Sequence, residues 1–191
     1  SQKKVDAIIM CTGYLHHYPY LPDDLRLCGD NLVWNEGLYK GVVWEKNPKF
    51  FYVGAQDQWF TFNMFDAQAW LVRDAIMGVF KIPAEAADRE ADMAKWAALD
   101  AKVRSAEDSI YFQGEYVKDL VDLTNYPSFD VKGVCDTFME WEHNKEEGIM
   151  TFRDKGHRSL MTGTMAPVHH TPWAEALDDS MACYLADKEE E

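Results

Sequence analysis

The sequence predicts an α/β chain, with a few strands in residues 1–80 and a helix-rich region in residues 81–191. Three observations carry this. Val5-Asp6-Ala7-Ile8-Ile9-Met10-Cys11 is a nearly continuous apolar run, the pattern of a strand covered on both faces inside a parallel sheet. From Phe50 to Gly78 a short apolar run, a polar loop and an amphipathic stretch follow one another, the order strand, loop, helix. Beyond Pro83 the chain becomes charged and helix-periodic.

The elements follow in order. A parallel strand over residues 5–11 needs neighbours, and the chain supplies few after it, so its partners are expected upstream of Ser1. Thr12-Gly13-Tyr14 is a small-residue turn at a strand's C-terminal end, where ligands of open α/β sheets sit. His16-His17-Tyr18-Pro19-Tyr20-Leu21-Pro22 is a proline-punctuated loop. Leu32-Val33-Trp34 and Gly41-Val42-Val43-Trp44-Glu45 read as short strands, and Asn47-Pro48 as a turn into a strand over Phe50–Val53. A helix is predicted over Met64–Met77, with Phe65, Ala69, Val72 and Ile76 at helical spacing, Asn63 as N-cap, Asp66 in the first turn and Gly78 as the stop.

The second half reads as helices. One spans about Ala84 to Arg104, with Met93, Trp96, Ala97 and Val103 near one face. Ser105-Ala106-Glu107-Asp108 has the form of a capping box and opens a helix carrying Ile110, Val117 and Val121, which ends before Tyr126-Pro127. A third runs from about Asp136 to Gly148 with Phe138 and Trp141. A final one opens at Thr171-Pro172 and carries Trp173, Leu177 and Met181.

Composition narrows the function classes. The chain has 191 residues, 47% apolar and 14% aromatic, enough for a packed core. With 19 basic against 33 acidic residues, the net charge of −14 disfavours nucleic acid or an anionic membrane as a partner. Cys11, Cys28, Cys135 and Cys183 form no CxxC pair and read as reduced thiols of a cytoplasmic protein, with Cys11 buried in its apolar run. No stretch has the apolar length of a membrane span. The pairs His16-His17 and His169-His170 lack a third ligand at a recognisable spacing, so no metal is expected.

The chemistry concentrates in Gln56, Asp57, Gln58, Trp59, Thr61 and Asn63, between the Phe50–Val53 run and the following helix. A loop dense in hydrogen-bonding groups at a helix N-terminus suits a large flat ligand with carbonyl and amide edges.

At this point a resemblance adds to the residues. Val5–Tyr14 and the following aromatic-proline segment resemble flavin-containing monooxygenases, as does Gln68-Ala69-Trp70. Residues 38–44, 56–70, 126–130 and 159–167, with His169-His170-Thr171-Pro172-Trp173, are most similar to the bacterial trimethylamine monooxygenase branch of that family. The family carries two glycine-rich dinucleotide fingerprints, whereas none of the eleven glycines here lies in a GxG pattern. The resemblance therefore implies the C-terminal portion of such an enzyme. Residues 1–80 would be the C-terminal segment of a Rossmann-like FAD-binding domain, and residues 81–191 a helical region packed on it.

The resemblance also implies an activity and its residues. The complete enzyme would use NADPH, FAD and O₂ to convert small tertiary amines, trimethylamine foremost, to N-oxides through a C4a-hydroperoxyflavin. Its partners would be the N-terminal remainder and the amine, with a homodimer a possible assembly; this portion alone is expected to be inactive. Gln58 and Thr61 would contact FAD, against an alternative in which they cap the helix and tie down the loop. Asp57 and Trp59 would form the active-site pair, against a loop carboxylate bound by backbone N–H groups and a packed indole. Trp59 and Trp141 would line the amine pocket by aromatic contact. Arg153 would meet the nucleotide phosphates of NADPH, against a surface ion pair. A binding or scaffold module that kept the fold and lost the chemistry stands as the alternative. A metal-dependent hydrolase built on the histidine pairs is the third reading.

Overall fold

The computed structural model describes residues 7–11, 17–27, 33–160 and 162–165. The Thr12-Gly13-Tyr14 turn, His16, Cys28, Cys183, the His169-His170 pair and the helix expected from Thr171 lie outside them. The described elements are two short strands and four helices: β1 (Leu38–Tyr39), β2 (Val43–Trp44), α1 (Phe62–Ile76), α2 (Ala86–Asp100), α3 (Ala106–Asp122) and α4 (Val131–Glu147). A short 3-10 turn, Phe152–Asp154, follows α4.

The two strands form an antiparallel hairpin, with Leu38 opposite Trp44 and Tyr39 opposite Val43. Its turn passes through Lys40 (φ 52°) and Gly41 (φ 67°). Glycine is required at position 41 on two counts: φ is left-handed, and a Cβ there would lie 2.4 Å from the Tyr116 hydroxyl oxygen. The turn is pinned to the helices by charge. Lys40 Nζ lies 2.7 Å from Asp92 of α2 and 2.9 Å from Asp119 of α3. Burial alone would lower the Lys40 pKa, but hydrogen bonds to the two carboxylates outweigh it and raise the pKa.

The main core lies between the hairpin and helices α1, α2, α3 and α4. Trp34 stacks on Trp96 of α2 with ring centroids 5.4 Å apart, and Tyr116 of α3 meets both edge-on. A smaller cluster of Leu27, Leu38, Trp44, Tyr52 and Ala55 packs beneath the loop of residues 17–27.

Several expectations change. Residues 7–11 form no strand, and Ile8 and Ile9 are 78% and 87% exposed. A parallel strand exists only through hydrogen bonds to neighbours, and none of the described residues pairs with this run. Cys11 is accordingly exposed rather than buried. Val33 and Trp34 bend, because ring packing rather than strand pairing holds Trp34. The expected Gly41–Glu45 strand shortens to β2, and Phe50–Val53 makes only one bridge, Val43 to Phe51, before Gly54 turns the chain at φ 76°.

Among the helices, α1 begins two residues earlier than expected, with Thr61 rather than Asn63 at the cap, and Asp66 falls outside its first turn. Its buried face is Met64, Ala67, Gln68, Leu71 and Asp74, one residue round from the anticipated stripe, so Ile76 is exposed. Helix α4 starts at Val131 rather than Asp136, because the Asp130 carboxylate accepts the Gly133 N–H at 3.0 Å and caps it. In α2, Trp96 is buried as expected while Ala97 is exposed.

The capping box of α3 is present. Asp108 N–H donates to Ser105 Oγ at 3.1 Å, and Ser105 N–H donates back to Asp108 Oδ2 at 3.1 Å. Ser105→Ala is expected to destabilise the fold by about 1 kcal/mol, read from the urea unfolding midpoint. The N–H groups of Arg104 and Ser105 and the Ser105 hydroxyl hold the Asp108 carboxyl below the ordinary carboxylate range. This contribution is present above the unfolded-state pKa and is lost as pH falls through the lower folded value.

Cys135 is a buried free thiol that donates to Ile110 O at 3.7 Å, and burial pushes its pKa up to about 11. No helix among the described residues is long and apolar enough to cross a membrane. No group of three or more His, Cys, Asp or Glu residues among them is arranged to hold a metal.

Candidate functional site

The polar loop between Gly54 and Thr61 is held from three sides. Gln68 of α1 lies at its base. Gln68 Oε1 accepts the Gly54 N–H at 2.8 Å, and Gln68 Nε2 donates to Gln56 Oε1 at 2.8 Å and to the Tyr116 hydroxyl at 3.0 Å. Gln56 Nε2 donates to Gly41 O at 2.7 Å, and the Tyr116 hydroxyl donates to Lys40 O at 2.9 Å. The hairpin, α1, α3 and the loop thus share one buried network in which both glutamine amides are paired. Burial raises the Tyr116 phenol far above its ordinary pKa, so it stays a neutral donor. Asn35 completes the base by donating to Ala55 O at 3.0 Å.

The upper half of the loop leans on α3. Gln113 Nε2 donates to Asp57 O at 2.6 Å, and Gln113 Oε1 accepts the Trp59 N–H at 2.7 Å. Ser109, one turn earlier, accepts the Trp59 indole N–H at 3.1 Å.

Beside this loop is a pocket of about 460 Å³ lined by Gln58, Trp59, Thr137, Phe138, Trp141 and His157. Trp59 and Trp141 meet edge-on with centroids 6.3 Å apart, and Phe138 lies 6.2 Å from Trp59. Trp141 also packs edge-on against Phe152 at 5.0 Å, and the Arg153 guanidinium lies 4.3 Å from the Phe152 ring centre. The largely aromatic wall suits a small apolar or weakly cationic molecule.

The structure brings Gln58, Trp59 and Trp141 to one pocket, with Arg153 linked to it through Phe152. Gln58 Nε2 donates to Gln56 O at 2.9 Å, while its Oε1 is buried without a partner. Thr61 is exposed at the cap position of α1, but its hydroxyl makes no capping hydrogen bond. Asp57 is exposed and its Oδ1 accepts the Gln58 N–H at 2.9 Å, outside the pocket lining.

Sequence reasoning passed over Gln113, Ser109 and His157. Gln113 had a readable signal. It sits three residues after Ile110 and four before Val117, in the apolar stripe of α3, where an amide must find a partner. His157 had none, since a lone histidine in a loop marks nothing by spacing. Its Nε2 is buried without a partner, and its Nδ1 lies 3.9 Å from Glu140.

No protein-family model matches the chain. It is 55% identical over 185 residues to a trimethylamine monooxygenase of Roseovarius nubinhibens, covering 97% of this chain and 41% of that protein. The crystal structure of Tmm from a Pelagibacter species superposes with a TM-score of 0.83 at 47% identity, covering 91% of this chain and 39% of that one. Over nearly its whole length the chain is similar to trimethylamine monooxygenases. It matches their C-terminal portion and spans about two-fifths of their length. A shorter similarity, 29% identity over 92 residues, covers 42% of the chain and 19% of a flavin-containing monooxygenase of Aspergillus flavus. The unpartnered Gln58 Oε1 of the Gly54–Thr61 loop and the aromatic walls of Trp59 and Trp141 meet at this pocket.

Proposed function

We propose that these residues form one wall of the active site of an FAD- and NADPH-dependent monooxygenase that converts trimethylamine and related small tertiary amines to N-oxides. Residues 1–80 belong to the C-terminal segment of its FAD-binding domain, and residues 81–191 to a helical region packed on it. The observation that carries the reading is the aromatic pocket of Trp59, Phe138 and Trp141 directly beside the unpartnered amide oxygen of Gln58.

The residues fit a flavin. A buried Gln58 Oε1 without a donor is costly unless a ligand N–H meets it, and the flavin ring edge offers one. The Thr61 hydroxyl, free of the helix it precedes, is a second contact for a ring carbonyl. When bound and reduced, the flavin supplies the oxygen activation. The chain's own residues do the rest. Trp59 and Trp141 hold the amine by aromatic contact and keep water from the reacting atoms. Asp57 orients a nearby water or the nucleotide. Arg153 pairs with a nucleotide phosphate through its planar fork.

The test is coupling in the complete enzyme. The purified protein is expected to retain flavin and to form about one N-oxide per NADPH consumed with trimethylamine. A well-folded complete protein that retains flavin but consumes NADPH at the same rate with and without amine would contradict the reading.

A further inference from the structure

We infer that Gln113 is a positioning residue that sets how Gln58 and Trp59 are presented to the flavin and to the amine, an inference that rests on the functional reading above. Gln113 is 1% exposed on α3, and its side-chain amide bonds the backbone groups on either side of Gln58. Its amide nitrogen donates to Asp57 O and its amide oxygen accepts the Trp59 N–H. Only one orientation of the amide satisfies both, because a flip would oppose two oxygens and two N–H groups. The bracket therefore fixes the backbone across residue 58.

Within that bracket the backbone N–H and the side-chain nitrogen of Gln58 both have local partners. Its N–H is taken by Asp57 Oδ1 and its Nε2 by Gln56 O, which leaves Oε1 as the free side-chain atom. Ser109 extends the hold by accepting the Trp59 indole N–H, which sets the plane of the ring that walls the pocket. One face of α3 thus aims two adjacent side chains at once. Gln58 is directed by the backbone bracket and Trp59 by the bracket together with its indole bond. Loosening Gln113 should weaken flavin binding and disturb the amine pocket together, while leaving the nucleotide contact at Arg153 untouched.

The test uses Gln113→Met, which keeps length and apolar packing but removes both hydrogen bonds, and Gln113→Glu, which keeps only the acceptor. Both are made in the complete enzyme. For Gln113→Met the Trp59 backbone amide should exchange at least about tenfold faster, and the Kd for FAD and the KM for trimethylamine should each rise about tenfold, the worth of one buried hydrogen bond. The KM for NADPH should stay within about twofold of wild type. Gln113→Glu keeps the acceptor for the Trp59 N–H but sets a carboxylate oxygen against Asp57 O, so the Kd for FAD and the KM for trimethylamine should rise with it as well. Should the Met variant fail to fold, the Glu variant decides by the same readouts. Wild-type FAD and amine parameters in the folded fraction of either variant would overturn the inference, reducing Gln113 to a stabilising contact. A wild-type enzyme that binds no flavin would overturn the functional reading instead, and Trp59 amide exchange would still decide whether the clamp holds the loop.

Discussion

Trp141→Ala in the complete enzyme is expected to lower kcat/KM for trimethylamine by about 30- to 100-fold, roughly 2–3 kcal/mol of lost contact. Amine-free NADPH oxidation should change by less than about threefold. The split follows from where the ring sits. Trp141 faces the pocket with Trp59 and Phe138, and its other neighbours are Phe152 and the Lys145 ammonium, 5.2 Å from its ring centre. Truncation removes a wall of the pocket proposed for the amine but no hydrogen bond to the Gly54–Thr61 loop. If both rates fall together, Trp141 is a packing residue and the pocket is not where the amine binds. Steady-state NADPH oxidation with and without trimethylamine measures both rates.

Gln68→Leu is expected to have the largest effect on stability, about 3–5 kcal/mol, because it leaves a buried and a half-buried group unpaired at once. The Gly54 N–H loses its acceptor and Gln56 Oε1 loses its donor. Tyr116 keeps its bond to Lys40 O, so the hairpin turn should survive. The damage should therefore centre on the loop that carries Gln58, with flavin retention falling along with the urea unfolding midpoint. A loss below about 1 kcal/mol would mean that water replaces the amide, and that the network contributes little to holding the loop.

Features that depend on local chemistry were legible in the sequence. Ser105 and Asp108 lie at the spacing a capping box needs, and they cap α3. The proline-punctuated loop and the Gly78 stop of α1 were readable for the same reason. Features set by distant partners were not legible. The apolar run at residues 7–11 reads as a strand, but strand formation is decided by neighbours, and no described residue pairs with it. The buried stripe of α1 is rotated toward Gln68 because three long-range hydrogen bonds outweigh the apolar pattern that favoured Val72 and Ile76.

The site divides in the same way. The resemblance singled out Gln58, Trp59 and Trp141, and these three line one pocket. Asp57 stands outside that lining, with its carboxylate on the next backbone N–H. What holds the site was hidden, since Gln113 is 56 residues from Asp57 and 54 from Trp59 in the chain. Only the packing of α3 against the loop brings them together.

The most direct test of the account is hydrogen–deuterium exchange of the complete enzyme with and without FAD. If the Gly54–Thr61 loop is a flavin wall, the backbone amides of Gln58 to Phe62 should slow at least about tenfold when FAD binds. Those of the α2 segment around Trp96, which makes none of the loop's hydrogen bonds, should not change. Unchanged exchange at Gln58–Phe62 in a protein that demonstrably binds FAD would place the flavin elsewhere and contradict the central claim.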